Sequence, residues 1–409
     1  MFIFTTLLLD VIGFGLLIPV APRIVEKLLK AGPEEAAPYY GWLIATYAAM
    51  QFIFAPILGA LSDRFGRRPV ILISLAGSAM DYVAMALSPT LWFLFITRAI
   101  NGITGANFSA CSAYVADVTT PEKRAAGFGM IGAAFGLGFI IGPGLGGLLA
   151  QIDLHAPFYA AAGLTALNWL YGLIVLPESL PPARRRPFSL RRANPVGTFR
   201  HLVRYPVVLR LAAALFFFNL AMYALHATWV LYTGYRYGWG SLAVGLSLTV
   251  VGLGAAVVQG GLVRVIVPRL GEPRSLLIGG LIAVLAYTGY GLATEGWMIY
   301  VIVGLASLGG IAGPAVQAIV TKAVTPSEQG EVQGALTSLA SVAQAVSTPI
   351  GTGVFAYFIS ARAPVYLPGA SFFLCAALAA CGLVLGWMTV RRLPRVGEQR
   401  ETPADTDPK

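Results

Sequence analysis

A chain of 409 residues in which 57% are hydrophobic and 11% charged, with a mean hydropathy of +0.75, carries about half the charge of an ordinary soluble domain and reads as an integral membrane protein. Its net charge of +10 is concentrated in short segments between apolar runs, so it is a topology signal and not a nucleic-acid surface. Cys111, Cys375 and Cys381 all lie in apolar stretches without paired-ligand spacing, which argues against a disulfide framework or a zinc site.

A hydrocarbon core of about 30 Å needs about 20 apolar residues per crossing helix. Twelve runs meet that length, near 3–22, 40–61, 69–88, 91–115, 126–150, 157–176, 207–233, 241–263, 275–293, 297–320, 332–358 and 367–390. The first has no basic n-region and continues as a long helix, so it is expected to stay in the mature protein. Residues 177–206, rich in Pro and Arg, are too polar to cross and form a linker between bundles at 1–176 and 207–390, with 391–409 as a polar, disordered tail. Of the 28 basic residues, 22 fall in segments on the linker's side, which puts that side and both termini in the cytoplasm.

The halves resemble each other. Gly102-Ile-Thr-Gly-Ala in the fourth span matches Gly310-Ile-Ala-Gly-Pro in the tenth, and Val118-Thr-Thr-Pro matches Val324-Thr-Pro after it. Repeated six-span units place a substrate path along the seam between two bundles, near the membrane midplane.

The loop after span two reads Gly59-Ala-Leu-Ser-Asp63-Arg64-Phe-Gly66-Arg67-Arg68. Gly59 suits close approach of a neighbouring helix, Gly66 suits a tight turn, and the arginines sit at headgroup level. Positive-inside charge explains the arginines but not an acid among them, so Asp63 needs a partner; Asp117 lies at the same level. Span five carries Gly129, Gly138, Gly142-Pro143 and Gly146-Gly147, a glycine face with a proline bend. These two patterns resemble the hallmark loop of the major facilitator superfamily and the span-five signature of its drug/proton antiporters. Arg98-Ala-Ile-Asn101-Gly102 resembles the family's span-four motif, with Asn101 where Gln is usual.

Within that superfamily the chain resembles the bacterial tetracycline efflux proteins. The matching text includes Leu9-Asp10, Gly13-Phe-Gly15, Tyr47-Ala-Ala-Met-Gln51, Asp81-Tyr82, Leu154-His155-Ala-Pro157, Asn194-Pro195-Val and Pro314-Ala-Val-Gln317. The resemblance implies an all-α membrane protein with twelve transmembrane helices in two six-helix bundles, related by a pseudo-two-fold axis along the membrane normal. It also implies a monomeric secondary transporter, embedded in the lipid of a bacterial inner membrane, that exports a small-molecule drug against protons. Asp10, Asp81 and Arg98 are then the proton-coupling residues. Gln51, Asn107, Tyr223, His226 and Gln317 frame the cavity, and Gly59, Asp63, Arg64, Gly66, Arg67, Arg68, Asp117 and Arg124 form a cytoplasmic latch. Depth agrees for one pair: Asp81 and Arg98 both fall roughly 10 Å below the outer surface at 1.5 Å per residue.

Two positions depart from those proteins, which have a histidine at the place of Ala255 and an acid at the place of Ala283. A transporter of another small metabolite, or a multidrug exporter, is the alternative reading. No G-x-x-x-x-G-K-[ST] loop, H-E-x-x-H or G-x-S-x-G spacing occurs, so neither nucleotide-driven transport nor catalysis is expected. No nucleic-acid partner and no resident cofactor are expected; a divalent cation could accompany the substrate.

Overall fold

The computed structural model describes residues 2–105, 107–119, 124–185, 187–188, 202–325 and 328–392. Among them there is no β-strand. Eleven helices among the described residues are long and apolar enough to cross a bilayer, and Leu91–Thr104 is a shorter apolar helix that pairs with Asn107–Val118 to make the twelfth crossing.

Several boundaries differ from the sequence expectation for local reasons. Span one ends at Leu17, and a separate helix, Ala21–Leu29, follows it. Pro19 and Pro22 cannot continue a helix but suit the first turn of a new one. Span two is longer than its apolar run, Pro33–Phe65, with Pro33 opening it and Glu34 and Glu35 in its first turn, where acids complement the helix dipole. Span four is not one run but two helices meeting beyond Gly105, which caps the first of them.

The second bundle has its own irregularities. Span eight switches to a π-helical turn over Val258–Leu262 and span ten to a 3₁₀ turn over Leu308–Ile311. Each contains a glycine pair, Gly260-Gly261 and Gly309-Gly310, and glycine stabilises regular helix least. Hydropathy averages over a window and so could not show these breaks.

Burial locates the cleft. One apolar core contains residues of both bundles: Val20, Ile24, Tyr40 and Leu43 pack with Trp229, Tyr232, Tyr290, Phe355 and Phe372. All lie toward the face opposite the linker. Nearer the linker the bundles have separate cores, one around Leu7, Ile71, Leu75 and Tyr114 and one around Leu211, Leu276, Val316 and Val332. The bundles are joined at one face and parted at the other.

Candidate functional site: an interbundle cleft

On the linker face, span two ends at Gly66, whose φ of 109° lies where a side chain would be strained. The next residue, Arg67, turns its guanidinium back on the loop. It reaches Asp63 at 2.6 Å, Asp117 at 3.1 Å and the Ser62 hydroxyl at 2.6 Å. One buried arginine thus gathers the acids that charge patterning alone left unexplained. Arg68 donates to the Leu173 carbonyl at 2.7 Å, and Arg64 stacks on the Phe65 ring at 5.0 Å. The Arg124 side chain lies outside the described residues. Gly59 does not meet a neighbouring helix as expected: a Cβ there would find nothing within 4 Å, because the bundles are parted at this end.

The opposite face is shut by backbone contact. Span five uses two faces instead of the single one expected. A Cβ on Gly142 would lie 2.9 Å from the Ile12 carbonyl oxygen, and one on Gly146 would lie 2.2 Å from that of Leu16, so these glycines seat span five on span one. Gly138 sits against Val11 on the same side. Gly147 instead faces span eight, where a Cβ would come 2.6 Å from the Ser241 carbonyl oxygen, and Gly245 of span eight faces the Pro143 carbonyl at 2.3 Å. Thr249 donates to the Ile140 carbonyl across that seam at 2.9 Å. Gly129, near the linker face, meets nothing within 4 Å.

A second closed seam joins spans two and eleven, where Thr348 donates to the Gly41 carbonyl at 3.2 Å. Near it, Arg23 in the short helix Ala21–Leu29 donates to the Trp239 carbonyl of the second bundle at 2.7 Å. Lys27 of that helix lies 2.9 Å from His155 Nε2 in the first bundle.

Between the two faces lie the buried polar groups. Asp81 and Arg98 form an ion pair, as their depths predicted, with side chains 2% and 12% exposed. Arg98 also stands over the Tyr47 ring at 5.8 Å, and Gln51 donates to the Tyr47 hydroxyl at 3.3 Å. Asp10 is half-buried on span one. Tyr47 therefore links Gln51 of span two to the ion pair of spans three and four. Its place in the matched text was visible in the sequence, but its contact with Arg98 was not. Asp81 Oδ1, Arg98 Nε and Asn101 Nδ2 are buried without a protein partner, so this cluster has hydrogen-bonding capacity in reserve.

In the second bundle Val230 and Gly234 of span seven line a pocket together with Pro22, Arg23 and Pro33 of the first. Tyr223 and His226 precede Val230 by seven and four residues, so they share its helix face. Asn219, four residues before Tyr223, continues the stripe and was not singled out from sequence; a 3.6-residue periodicity of polar side chains was the available signal. Gln317 is exposed on span ten. The Asn107 side chain lies outside the described residues. Ala255 and Ala283 are half-buried. Among the described residues no group of three or more His, Cys, Asp or Glu is arranged to hold a metal ion.

The model of the Major Facilitator Superfamily matches residues 3–348 and 269–408. The chain belongs to the major facilitator superfamily. Within it, the chain is 42% identical over 351 residues to the class C tetracycline resistance protein of Escherichia coli, covering 86% of this chain and 88% of that one. It is 34% identical over 406 residues to the class B protein of Escherichia coli, covering 97% of both. Among solved structures it resembles the human organic anion transporter MFSD10 (TETRAN), with a TM-score of 0.72, 27% identity, and coverage of 94% of this chain and 98% of that one. The superfamily's two-bundle fold accounts for the shared core at one face and the paired cores at the other.

Proposed function

We propose that the chain exports a tetracycline from the bacterial cytoplasm in exchange for protons by alternating access, and that the linker face is cytoplasmic. The observation that carries this reading is 34–42% identity to tetracycline resistance proteins over most of the chain, together with the buried constellation of Asp10, Tyr47, Gln51, Asp81 and Arg98. With the linker inside, the arrangement of open and closed seams is inward-facing. Drug enters from the cytoplasm and meets the amide of Gln51, the phenols of Tyr47 and Tyr223 and the imidazole of His226. Such a mixture of hydrogen-bonding groups and aromatic faces suits a planar, polar, ring-rich compound.

An antiporter must not cross with both ligand and proton absent, which requires a group in the path that exchanges one for the other. Asp10, half-buried on span one, is the group to which this reading gives that exchange. The Asp81–Arg98 pair orients the substrate or gates its passage. Closing the inner face brings the amino end of span eleven to Asp63, while Gly59 and Gly129 allow the helices of the two bundles to meet there. Protein working as a monomer in the inner membrane, its termini cytoplasmic, meets these requirements.

A second reading, export of a broader set of drugs or organic anions, is favoured by Ala255, where those proteins have a histidine, and Ala283, which leaves the second half without a membrane-embedded acid. A susceptibility panel in a pump-deficient host separates the two. Intact protein should raise resistance to tetracyclines and Asp10→Asn at equal membrane abundance should not. If no tetracycline is tolerated better than by control cells, the substrate assignment is wrong.

A further inference from the structure

Glu178 is the one acid in the linker segment 177–206, and its carboxylate is built into the loop between spans two and three. Its Oε1 accepts from the Arg67 backbone N–H at 2.8 Å and its Oε2 from that of Arg68 at 3.3 Å. These are the first two residues of span three, Arg67–Ala86. The Leu180 N–H turns back onto Oε1 at 3.0 Å and fixes the carboxylate from its own side. A Cβ on Gly66 would lie 2.2 Å from Glu178 Oε2. The glycine of the hallmark loop is therefore required by the linker's carboxylate as well as by its own positive φ. Next to Glu178, the Ser179 hydroxyl donates to Asp117 Oδ2 at 3.2 Å, the oxygen that also receives Arg67.

We infer that Glu178 is a positioning residue of the cytoplasmic gate, acting through Arg67 and Asp63. This rests on the alternating-access reading above. Free N–H groups at a helix amino end attract carboxylates, and closure of the inner face presents two such ends to the same loop, those of spans three and eleven. Glu178 occupies the first. Asp63, whose side chain is 41% exposed and, among the described residues, is bound through Arg67, is left available for the second. Without Glu178, the Arg67 and Arg68 N–H groups have Asp63 as their nearest acid in sequence, four residues back, and that capping competes with its contact to span eleven. The open conformation, which makes no use of span eleven, loses nothing from that competition. Removal of Glu178 therefore penalises the closed inner gate selectively.

The test places spin labels on the last turn of span two and the first turn of span eleven, in full-length protein whose native cysteines are replaced. The distance distribution is compared for the parent, Glu178→Ala and Glu178→Gln. Two charge-assisted hydrogen bonds are at stake, so Glu178→Ala should move the open-to-closed ratio toward open by about 10-fold. Glu178→Gln, which keeps one accepting oxygen, should move it less. Turnover in vesicles should fall in the same order with KM changed by less than about twofold, since the cleft is untouched. Should the alanine variant fail to fold, the glutamine variant decides alone, with a shift of about threefold expected from one weakened acceptor. An unchanged distribution in a folded variant would overturn the inference, as would equal loss in both variants with no change in distance. The distance measurement needs no substrate, so it stands apart from the drug assignment.

Discussion

Gly41 offers a substitution whose cost falls on one conformation. It sits where span two meets span eleven at the face opposite the linker. A Cβ built there would lie 2.0 Å from Thr352 Oγ1, 2.9 Å from the Pro349 Cα and 2.9 Å from the Thr348 carbonyl oxygen. Two of these three atoms are backbone of the other bundle, so the seam must part to admit a side chain. Gly41→Val also weakens the Thr348 bond to the Gly41 carbonyl. Overpacking of this kind costs about 1–3 kcal/mol, which corresponds to a shift of about 5- to 150-fold away from the conformation with this seam closed. In the outward-facing conformation the same side chain enters an opened cleft and costs little. Labelling of a cysteine placed at the outer end of span eleven by an impermeant thiol reagent reads the shift directly. Gly41→Val should label faster than the parent. Adding Thr352→Ala should reverse part of the gain, because it removes the nearest contact but not the backbone ones. Unchanged labelling in well-folded Gly41→Val would refute the closed-seam argument.

Three further outcomes follow from the same geometry. Asp81→Asn or Arg98→Gln strands a buried charge and should each lower stability by about 3–5 kcal/mol, with the double substitution costing less than either single one; thermal unfolding in detergent checks this. Asp63→Asn should slow transport by more than it lowers folded yield, and normal transport at normal yield would remove the latch. At the linker's other end, hydrogen bonds from Tyr205 and Thr325, with Arg204, hold the Glu328 carboxyl below its ordinary range. A lowered folded value contributes stability above the unfolded value that disappears as pH falls through the folded one. The melting-temperature gap between parent and Glu328→Gln should therefore be largest near neutrality and close on acidification.

The fold was legible because membrane helices announce themselves by length and charge. Twelve runs, the linker and the pairing of Asp81 with Arg98 all follow from apolar length, basic bias and depth. The departures arise where local backbone chemistry acts inside an apolar run. Gly105, Gly260-Gly261 and Gly309-Gly310 interrupt spans four, eight and ten without changing their hydropathy. The division of the span-five glycines between span one and span eight needed the neighbours' positions, since Gly146 and Gly147 are adjacent yet face different helices. Glu178 was visible as a lone acid between Pro177 and Pro181 in a basic linker, but its partners are 111 and 110 residues away. Tyr47 drew notice only as part of a matched phrase, because an aromatic residue on a membrane helix gives no sign of what lies over its ring.

Proton release on drug binding tests the central claim most directly. Purified protein in weakly buffered detergent is mixed with tetracycline across a range of pH, and released protons and bound drug are measured together. The account predicts release in the parent and in Asp63→Asn, and binding without release in Asp10→Asn. Full release in Asp10→Asn, with none in Asp81→Asn, would contradict it and move the proton to the ion pair.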